Sequence, residues 1–65
     1  MNYKKAVKVA TAIKGDSLQE YCDHIGISIQ AMYKRFKKKE PLWSWVQNLS
    51  DYAGVPIEEV NKWGS

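Results

Sequence analysis

Five patterns of apolar residues, each with the spacing of one helix face, follow one another along the chain. Within the patterns, apolar positions recur mostly at intervals of three and four residues, which is the period of an amphipathic helix. The five sets are Tyr3, Ala6, Val7, Ala10 and Ile13; Leu18, Tyr21, Cys22 and Ile25; Met32 and Phe36; Leu42, Trp45, Val46, Leu49, Tyr52 and Ala53; and Ile57, Val60 and Trp63. No segment of four to eight residues alternates cleanly between apolar and polar side chains, so we predict no strand. The sequence therefore predicts an all-α, compact five-helix domain.

Capping residues separate these patterns and define the ends of the predicted helices. Gly15 and Gly26 can end the first two helices in the left-handed conformation. Ser17 and Glu20 have the spacing of a capping box at the start of the second helix, and Ser28 can cap the third. The other predicted boundaries are a third helix over residues 29–38 and two helices within residues 41–63, whose first turns suit Pro41 and Pro56.

The charges are distributed unevenly between the two parts of the chain. The 65 residues include ten Lys/Arg and seven Asp/Glu, which gives a net charge of +3. Residues 1–40 contain nine basic and four acidic side chains, a local charge of +5, whereas residues 41–65 contain one basic and three acidic, a local charge of −2. A basic front suggests a polyanionic partner, either nucleic acid or an anionic membrane.

Length and composition argue against several functional classes. A chain this short hides only about 60% of its unfolded surface, so an enzyme with a deep, dry pocket is not expected. Cys22 is the single cysteine and cannot form an internal disulfide, which favours a reducing cytoplasm. Cys22 and His24 point in different directions on a helix, so we predict no metal site, no cofactor and no catalytic set. No apolar run approaches the roughly 18 residues of a membrane span.

The most informative segment is residues 18–37, LQEYCDHIGISIQAMYKRFK. It predicts a helix, a glycine turn and a second helix, which is the plan of a helix-turn-helix. Cys22 supplies a small side chain where the two helices approach, and Gly26 supplies the positive φ that the turn requires. The apolar contacts that hold the helices together are expected from Ile25, Ile27 and Met32.

With these residues in place, the segment resembles the helix-turn-helix of the Cro/C1-type (phage repressor-like, xenobiotic-response-element) family of transcriptional regulators. The later segment WVQNLSDYAGVPIEEV is similar to that family's fourth and fifth helices, which also pass through a Gly-Val break. The resemblance extends over residues 3–63 and implies a lambda-repressor-like fold in one domain, 1–65, with the helix-turn-helix at 17–38. Two residues depart from the family pattern. Arg35 stands where an aliphatic side chain usually faces the core, a role that Phe36 is expected to take over, and Ile29 stands at an often polar position.

Resemblance and residue chemistry agree on how double-stranded DNA would be bound. The third helix would enter the major groove by its N-terminal half, with the second helix across the backbone. Gln30 has the amide geometry to contact adenine, Lys34 can reach guanine or a phosphate, and Ile29 can touch a thymine methyl. Tyr33 is an equally good candidate for the groove and for the core. The expected DNA-binding residues are Gln19, Ser28, Ile29, Gln30, Tyr33, Lys34, Lys37, Lys38 and Lys39, of which the last three and Gln19 would bind phosphates.

The three tryptophans differ in their positions on the predicted helices. Trp45 lies on the inward stripe of the fourth helix and is expected in the core. Trp43 and Trp63 lie elsewhere, and they either complete a thin core or form a homodimer face away from the basic side. The resemblance implies two-fold dimers on pseudo-palindromic operators, with half-sites about one helical turn apart.

The sequence thus predicts a sequence-specific double-stranded-DNA-binding transcriptional regulator, in the manner of a Cro-like repressor from a phage or mobile element. It is not expected to be an enzyme. Two alternatives stay open. One is an excisionase-like architectural DNA binder, which would require a winged helix with a β-hairpin. The other is an antirepressor-type module that binds a protein partner through Trp43 and Trp63.

Overall fold

The computed structural model, which describes residues 1–65, contains five α-helices and no strand. The helices are α1 (Tyr3–Lys14), α2 (Leu18–Ile25), α3 (Ile29–Phe36), α4 (Trp43–Ala53) and α5 (Ile57–Trp63). Helix α1 contacts each of the other four and is therefore the central element of a compact all-helical domain. The predicted all-α class and the number of helices are confirmed.

One hydrophobic core joins all five helices. It consists of eleven buried apolar residues, Tyr3, Ala6, Val7, Ala10, Tyr21, Cys22, Met32, Val46, Leu49, Tyr52 and Val60. Helix α3 contributes a single wholly buried side chain, Met32. A second shell of half-buried residues, including Ile29 and Phe36, packs around this core. Helix α3 is therefore held by one inward anchor, with partial contacts to either side of it.

The inward face of α1 differs from the prediction at its last turn. Ile13 is 57% exposed, whereas Thr11 is buried. The two residues lie about 80° to either side of Tyr3 around the helix, and packing covers only the side of Thr11. The Thr11 hydroxyl donates to the Val7 carbonyl at 3.0 Å, which satisfies its polar group inside the core. The expectation that Ile13 faces inward is wrong.

The caps around α2 and α3 confirm the predicted boundaries between residues 15 and 29. The Ser17 hydroxyl accepts from the Glu20 amide at 3.1 Å, and the Glu20 carboxylate accepts from the Ser17 amide at 2.9 Å. Gly26 ends α2 at φ 76°, in the left-handed region. The Ser28 hydroxyl then accepts from the Ala31 amide at 3.1 Å and starts α3. These local bonds define the end of α2 and the start of α3.

The connection between α3 and α4 is longer than predicted. Helix α3 ends at Phe36, before the predicted limit at Lys38, and α4 begins at Trp43 with Leu42 as its N-cap residue. Leu42 has extended backbone angles, φ −70° and ψ 150°, so its side chain leaves the helical stripe and is 59% exposed. The expectation that Leu42 faces the core is therefore wrong, and Pro41 lies before the helix rather than in its first turn. Pro56 is likewise the N-cap residue of α5 rather than part of it.

None of the five helices combines the length and the hydrophobicity that a transmembrane segment requires.

Candidate nucleic-acid interface

One face of α3 is made only of exposed polar and aromatic side chains. Gln30, Tyr33, Lys34 and Lys37 are all exposed. At 100° per residue they fall within about 100° of one another around the helix axis. This face lies opposite Met32, which is wholly buried. Helix α3 therefore presents a continuous outward surface whose groups are an amide, a phenol and two ammonium groups.

Tyr33 belongs to this outward surface. It is 53% exposed, and its ring centroid lies 6.3 Å from that of Phe36 at the edge of the core. Of the two roles that the sequence left open, the structure places Tyr33 outside the core. The hydroxyl end of the ring is available to an incoming ligand.

The N-terminal end of α3 carries Ser28 and Ile29. Ser28 is exposed, and because its oxygen accepts a hydrogen bond from the Ala31 amide, its own hydroxyl hydrogen stays free to donate. Ile29 is half-buried and packs against the core. The expectation that Ile29 offers its side chain outward is only partly met, because it lies at the boundary between the core and the exposed face.

A run of lysines continues from α3 into the following loop. Lys34, Lys37, Lys38 and Lys39 are exposed. The backbone of this segment is turned by hydrogen bonds from the Lys37 amide to the Lys34 carbonyl at 3.2 Å and from the Lys38 amide to the Arg35 carbonyl at 3.1 Å. The ion pairs in the structure are Lys62 with Glu59, and the Met1 ammonium with Glu40. No carboxylate therefore neutralises any of these lysines.

The start of α2 is less suited to an anion than the start of α3. Gln19 is exposed, and its amide group donates to the Asp23 carboxylate at 3.0 Å. The Glu20 carboxylate lies at the helix N-terminus, where it already accepts the Ser17 amide. Two negative charges therefore accompany Gln19, whereas no acidic residue lies within α3.

Arg35 fixes the C-terminal end of α3 to the rest of the domain. Its guanidinium carbon lies 4.5 Å from the centroid of the Trp45 ring. Its Nη1 atom donates to the Tyr3 hydroxyl at 3.5 Å. Phe36, one position later, lies with its ring centroid 6.0 Å from that of Tyr3. The sequence predicts that Phe36 takes the inward role in place of Arg35, but both side chains are half-buried. Together they hold α3 against α1 and α4.

Buried ionisable groups behind α3 are held in their neutral forms. Burial raises the pKa of Tyr3, an effect that the nearby positive charge of Arg35 partly opposes. Burial also raises the pKa of Tyr21, whose hydroxyl has no hydrogen-bond partner. The pKa of the Cys22 thiol is raised by burial and by the charge of Asp23. Cys22 is thus a small, wholly buried side chain of the core, and its pKa is shifted in the direction opposite to that of a reactive thiol.

The three tryptophans have different environments. Trp45 is half-buried and packs on Tyr3, with ring centroids 5.5 Å apart. Trp63 is also half-buried and packs against the core. Trp43 is 68% exposed. Trp43 and Trp63, the two candidates for a homodimer face, therefore differ in their burial. Trp63 completes the core of the domain, whereas Trp43 lies outside it.

Two surface clefts lie outside α3, and neither was identified from the sequence. One, of about 290 Å³, is lined by Asn2, Lys4, Lys5 and Lys8 on α1. The other, of about 300 Å³, lies between α2 and α4 and is lined by His24, Ile25, Asn48, Asp51 and Tyr52. The structure contains no group of three or more His, Cys, Asp or Glu residues placed to hold a metal ion.

Comparison with known proteins does not assign the chain to a family: no family model, no curated protein and no solved structure matches it.

Proposed function

We propose that the protein binds double-stranded DNA in a sequence-specific manner, as a Cro/C1-type helix-turn-helix regulator with α3 as its recognition helix. The observation that carries this proposal is the outward face of α3, where Gln30, Tyr33, Lys34 and Lys37 are exposed together. This face continues into Lys38 and Lys39 without a carboxylate partner. An uncompensated basic surface on a short, capped helix is typical of an element that enters the major groove.

Within this proposal the base-reading residues lie in the N-terminal and middle parts of α3. Gln30 would donate to and accept from adenine through N7 and N6, and Lys34 would donate to guanine O6 or N7. Ser28 would use its free hydroxyl hydrogen on a phosphate oxygen next to the groove. Tyr33 would contact a base edge or the sugar-phosphate backbone with its exposed hydroxyl.

The lysines after α3 would supply most of the affinity. Lys37, Lys38 and Lys39 would bind phosphates and displace condensed counterions, which makes binding dependent on salt but not on sequence. Gln19 would make a weaker phosphate contact through the amide hydrogen that Asp23 leaves free. We separate the residues that contact bases from the lysines that bind phosphates by their positions, because Lys37, Lys38 and Lys39 lie beyond the end of α3.

The biological output we propose is repression by occupancy. Two copies would bind the half-sites of a pseudo-palindromic operator and block polymerase, as in a Cro-like switch of a phage or mobile element. In this proposal, regulation depends on concentration and on partners. No catalytic activity is proposed.

In-vitro selection from random duplex DNA tests the proposal directly. We expect enrichment of a motif with two-fold symmetry and half-sites about one helical turn apart. Gln30→Ala should then relax specificity at one position in each half-site, with a loss of about 1–3 kcal/mol for the preferred base. Failure to enrich any sequence, together with no retention of DNA at low salt, would contradict the proposal.

The salt dependence of binding separates phosphate contacts from general charge. Lys38→Gln and Lys39→Gln should each reduce the slope of log K against log salt by about 0.9 and weaken binding equally on all sequences. Lys62→Gln removes the same charge from α5, where Lys62 pairs with Glu59 at 3.4 Å. This control variant should leave the slope unchanged. Equal effects of all three variants would mean that net charge, and not this surface, governs binding.

A second candidate function rests on the exposure of Trp43. An antirepressor-type module would use this side chain to bind a protein partner, and it would not bind DNA at about 50 mM salt. The excisionase-like alternative lacks support, because a winged helix requires a β-hairpin and the structure contains no strand.

A further inference from the structure

Leu42 and Trp43 are the two most exposed large hydrophobic residues of the molecule, and they are neighbours in the chain. They are 59% and 68% exposed, and neither belongs to the side chains that pack on the core. The other large exposed hydrophobic residues, Ile13 and Tyr33, lie apart from them on α1 and α3. We call Leu42 and Trp43 the apolar ledge. Exposed apolar side chains side by side indicate a surface that is covered by a ligand.

The ledge directly follows the lysines proposed to bind phosphates. Lys37, Lys38 and Lys39 are exposed and unpaired, and three residues separate Lys39 from Trp43. Four residues of extended chain span at most about 14 Å. The minor groove of B-DNA is about 6 Å wide and begins at the phosphates that border the major groove. A ledge at this position can therefore reach the neighbouring groove while the lysines hold the backbone between the two grooves.

Charge argues against a second copy of the chain as the occupant. A two-fold contact through Trp43 would bring the lysines at positions 37–39 of both copies close together, and like charges would repel.

The apolar area of the ledge also argues against a second copy of the chain. Two exposed side chains offer about 300 Å² at most, compared with about 800 Å² per partner in a stable interface. A polyanion matches the lysines and needs no large apolar area.

We infer that the apolar ledge acts as a wedge that bends the duplex. Leu42 and Trp43 insert into a base step of the minor groove, beside the phosphates bound by Lys37–Lys39. This inference rests on the proposed DNA binding. Apolar side chains that enter a base step partly unstack it and kink the helix, and the bent duplex then contacts more protein surface. In this inference Trp43 contacts DNA and does not contribute to a contact between two copies of the chain.

The inference also predicts a preference for deformable DNA. Pyrimidine–purine steps such as TA unstack readily, whereas A-tracts are stiff. A duplex with a TA step at the edge of the bound site should therefore bind more tightly than one with an A-tract there. The preference for the TA step should depend on Trp43 and not on Gln30, because it arises from the stiffness of the DNA and not from contacts with base edges.

The test measures bending and affinity on the same duplex. A 30-base-pair DNA with a fluorophore at each end reports its end-to-end distance, and anisotropy reports binding. We expect the wild-type protein to shorten this distance. Trp43→Ala should abolish the shortening and lower the affinity about tenfold, in line with the loss of one base-stacking contact. Because Trp43 is 68% exposed and is not among the side chains that pack against the core, helix content and stability should be retained.

A matched control replaces an equally exposed apolar residue elsewhere. Ile13 on α1 is 57% exposed, and Ile13→Ala should leave bending, affinity and the preference for TA steps unchanged. A second readout is tryptophan emission. DNA should change the emission of the wild-type protein but not that of Trp43→Phe, in which the half-buried Trp45 and Trp63 remain.

The possible outcomes distinguish the two proposals. Tight binding to a straight duplex, with no effect of Trp43→Ala, would overturn the wedge and leave the proposed function in place. A change from dimer to monomer in Trp43→Ala, measured by sedimentation with bending unaffected, would overturn the wedge in favour of a second copy. If the wild-type protein binds no DNA at about 50 mM salt, the proposed function fails and the wedge fails with it.

Discussion

The guanidinium carbon of Arg35 lies 4.5 Å from the centre of the Trp45 ring. This cation–π contact joins the end of α3 to α4, and the bond from Arg35 to the Tyr3 hydroxyl joins it to α1. An arginine can occupy this half-buried position because its planar group stacks on an aromatic ring while its edge donates hydrogen bonds. The orientation of α3 is therefore set partly by a charged group on its inner side.

Replacement of Arg35 separates packing from charge. Arg35→Ala should lower the free energy of unfolding by about 1–2 kcal/mol, because both the stacking contact and the buried stem are lost. Arg35→Met retains an unbranched stem and should lose less than about 1 kcal/mol. Urea denaturation measures both values. A charge-matched control, Lys34→Ala, lies on the exposed face and should stay within about 0.5 kcal/mol of the wild type. Equal losses for all three variants would contradict the role of Arg35.

Ser28 offers a pair of substitutions with opposite effects on stability and binding. Ser28→Ala removes the cap on the Ala31 amide and should cost about 1 kcal/mol of stability. Ser28→Asp keeps a capping oxygen and adds a negative charge that the helix dipole favours, so stability should be retained. The same charge faces the proposed DNA and should lower affinity at least about tenfold.

Asn61→Asp is the control for this pair. Asn61 is exposed on α5, so the variant adds one negative charge far from α3 and should change DNA affinity much less. If Ser28→Asp and Asn61→Asp weaken binding to the same extent, the N-terminus of α3 does not face the DNA.

Gly26 is required for its backbone conformation and not for space. Its φ is 76°, and an added Cβ would meet no atom within 4 Å. Gly26→Ala should therefore cost about 1–2 kcal/mol, the strain of the left-handed conformation, and Gly26→Asn should cost less. Gly54, at φ 70° with equally open surroundings, gives a matched control outside the α2–α3 turn. Gly54→Ala should lose a similar amount of stability. A clearly larger loss for Gly26→Ala would show that the turn also demands close packing.

Alkaline pH should unfold the domain through its buried tyrosines. The pKa values of Tyr3, Tyr21 and Tyr52 are raised above the ordinary value of about 10, chiefly by burial. As pH rises above 10, the unfolded chain releases these protons while the folded chain retains them. Stability is thus fully present below pH 10 and falls above it, by up to about 1.4 kcal/mol per pH unit for each tyrosine. Denaturation curves between pH 8 and 11 measure this decline, and a flat profile would contradict it.

Tyr21→Phe tests one of these groups alone. The Tyr21 hydroxyl is buried without a partner, so its removal should leave stability at pH 7 unchanged or raise it by about 1 kcal/mol. The decline of the free energy of unfolding above pH 10 should become less steep, because unfolding then releases one proton fewer. A loss of more than about 1 kcal/mol at pH 7 would mean that the hydroxyl forms a bond in solution.

Local signals in the sequence predicted the helices and their caps well. The capping box of Ser17 and Glu20, the glycine at position 26 and the cap at Ser28 each depend on residues only a few positions apart. The exposed face of α3 was also predictable, since Gln30 and Lys34 lie one turn apart opposite Met32. These features need no knowledge of how the helices pack.

Features that depend on packing between helices could not be predicted in the same way. Thr11 and Ile13 flank the stripe of α1 symmetrically, and the position of the neighbouring helices alone decides which of them is covered. The inward position of Arg35 depends on Trp45, ten residues later, and on Tyr3, thirty-two residues earlier. Leu42 fits the apolar period of α4 but lies at the helix cap, where the backbone is extended.

The single buried anchor of α3 has a consequence for how this helix can adapt. Met32 is unbranched and flexible, and it fills a fixed volume in more than one rotamer. Ile29 and Phe36 are only half-buried on either side, so a small tilt of α3 about Met32, with its Arg35 end held against Trp45 and Tyr3, would displace few core side chains. If α3 is the recognition helix, as proposed, such a tilt would let it follow groove widths that differ from one base sequence to another. Under the proposed DNA binding, an exchange of Met32 for a stiff β-branched residue of similar size should narrow the range of sequences enriched by in-vitro selection.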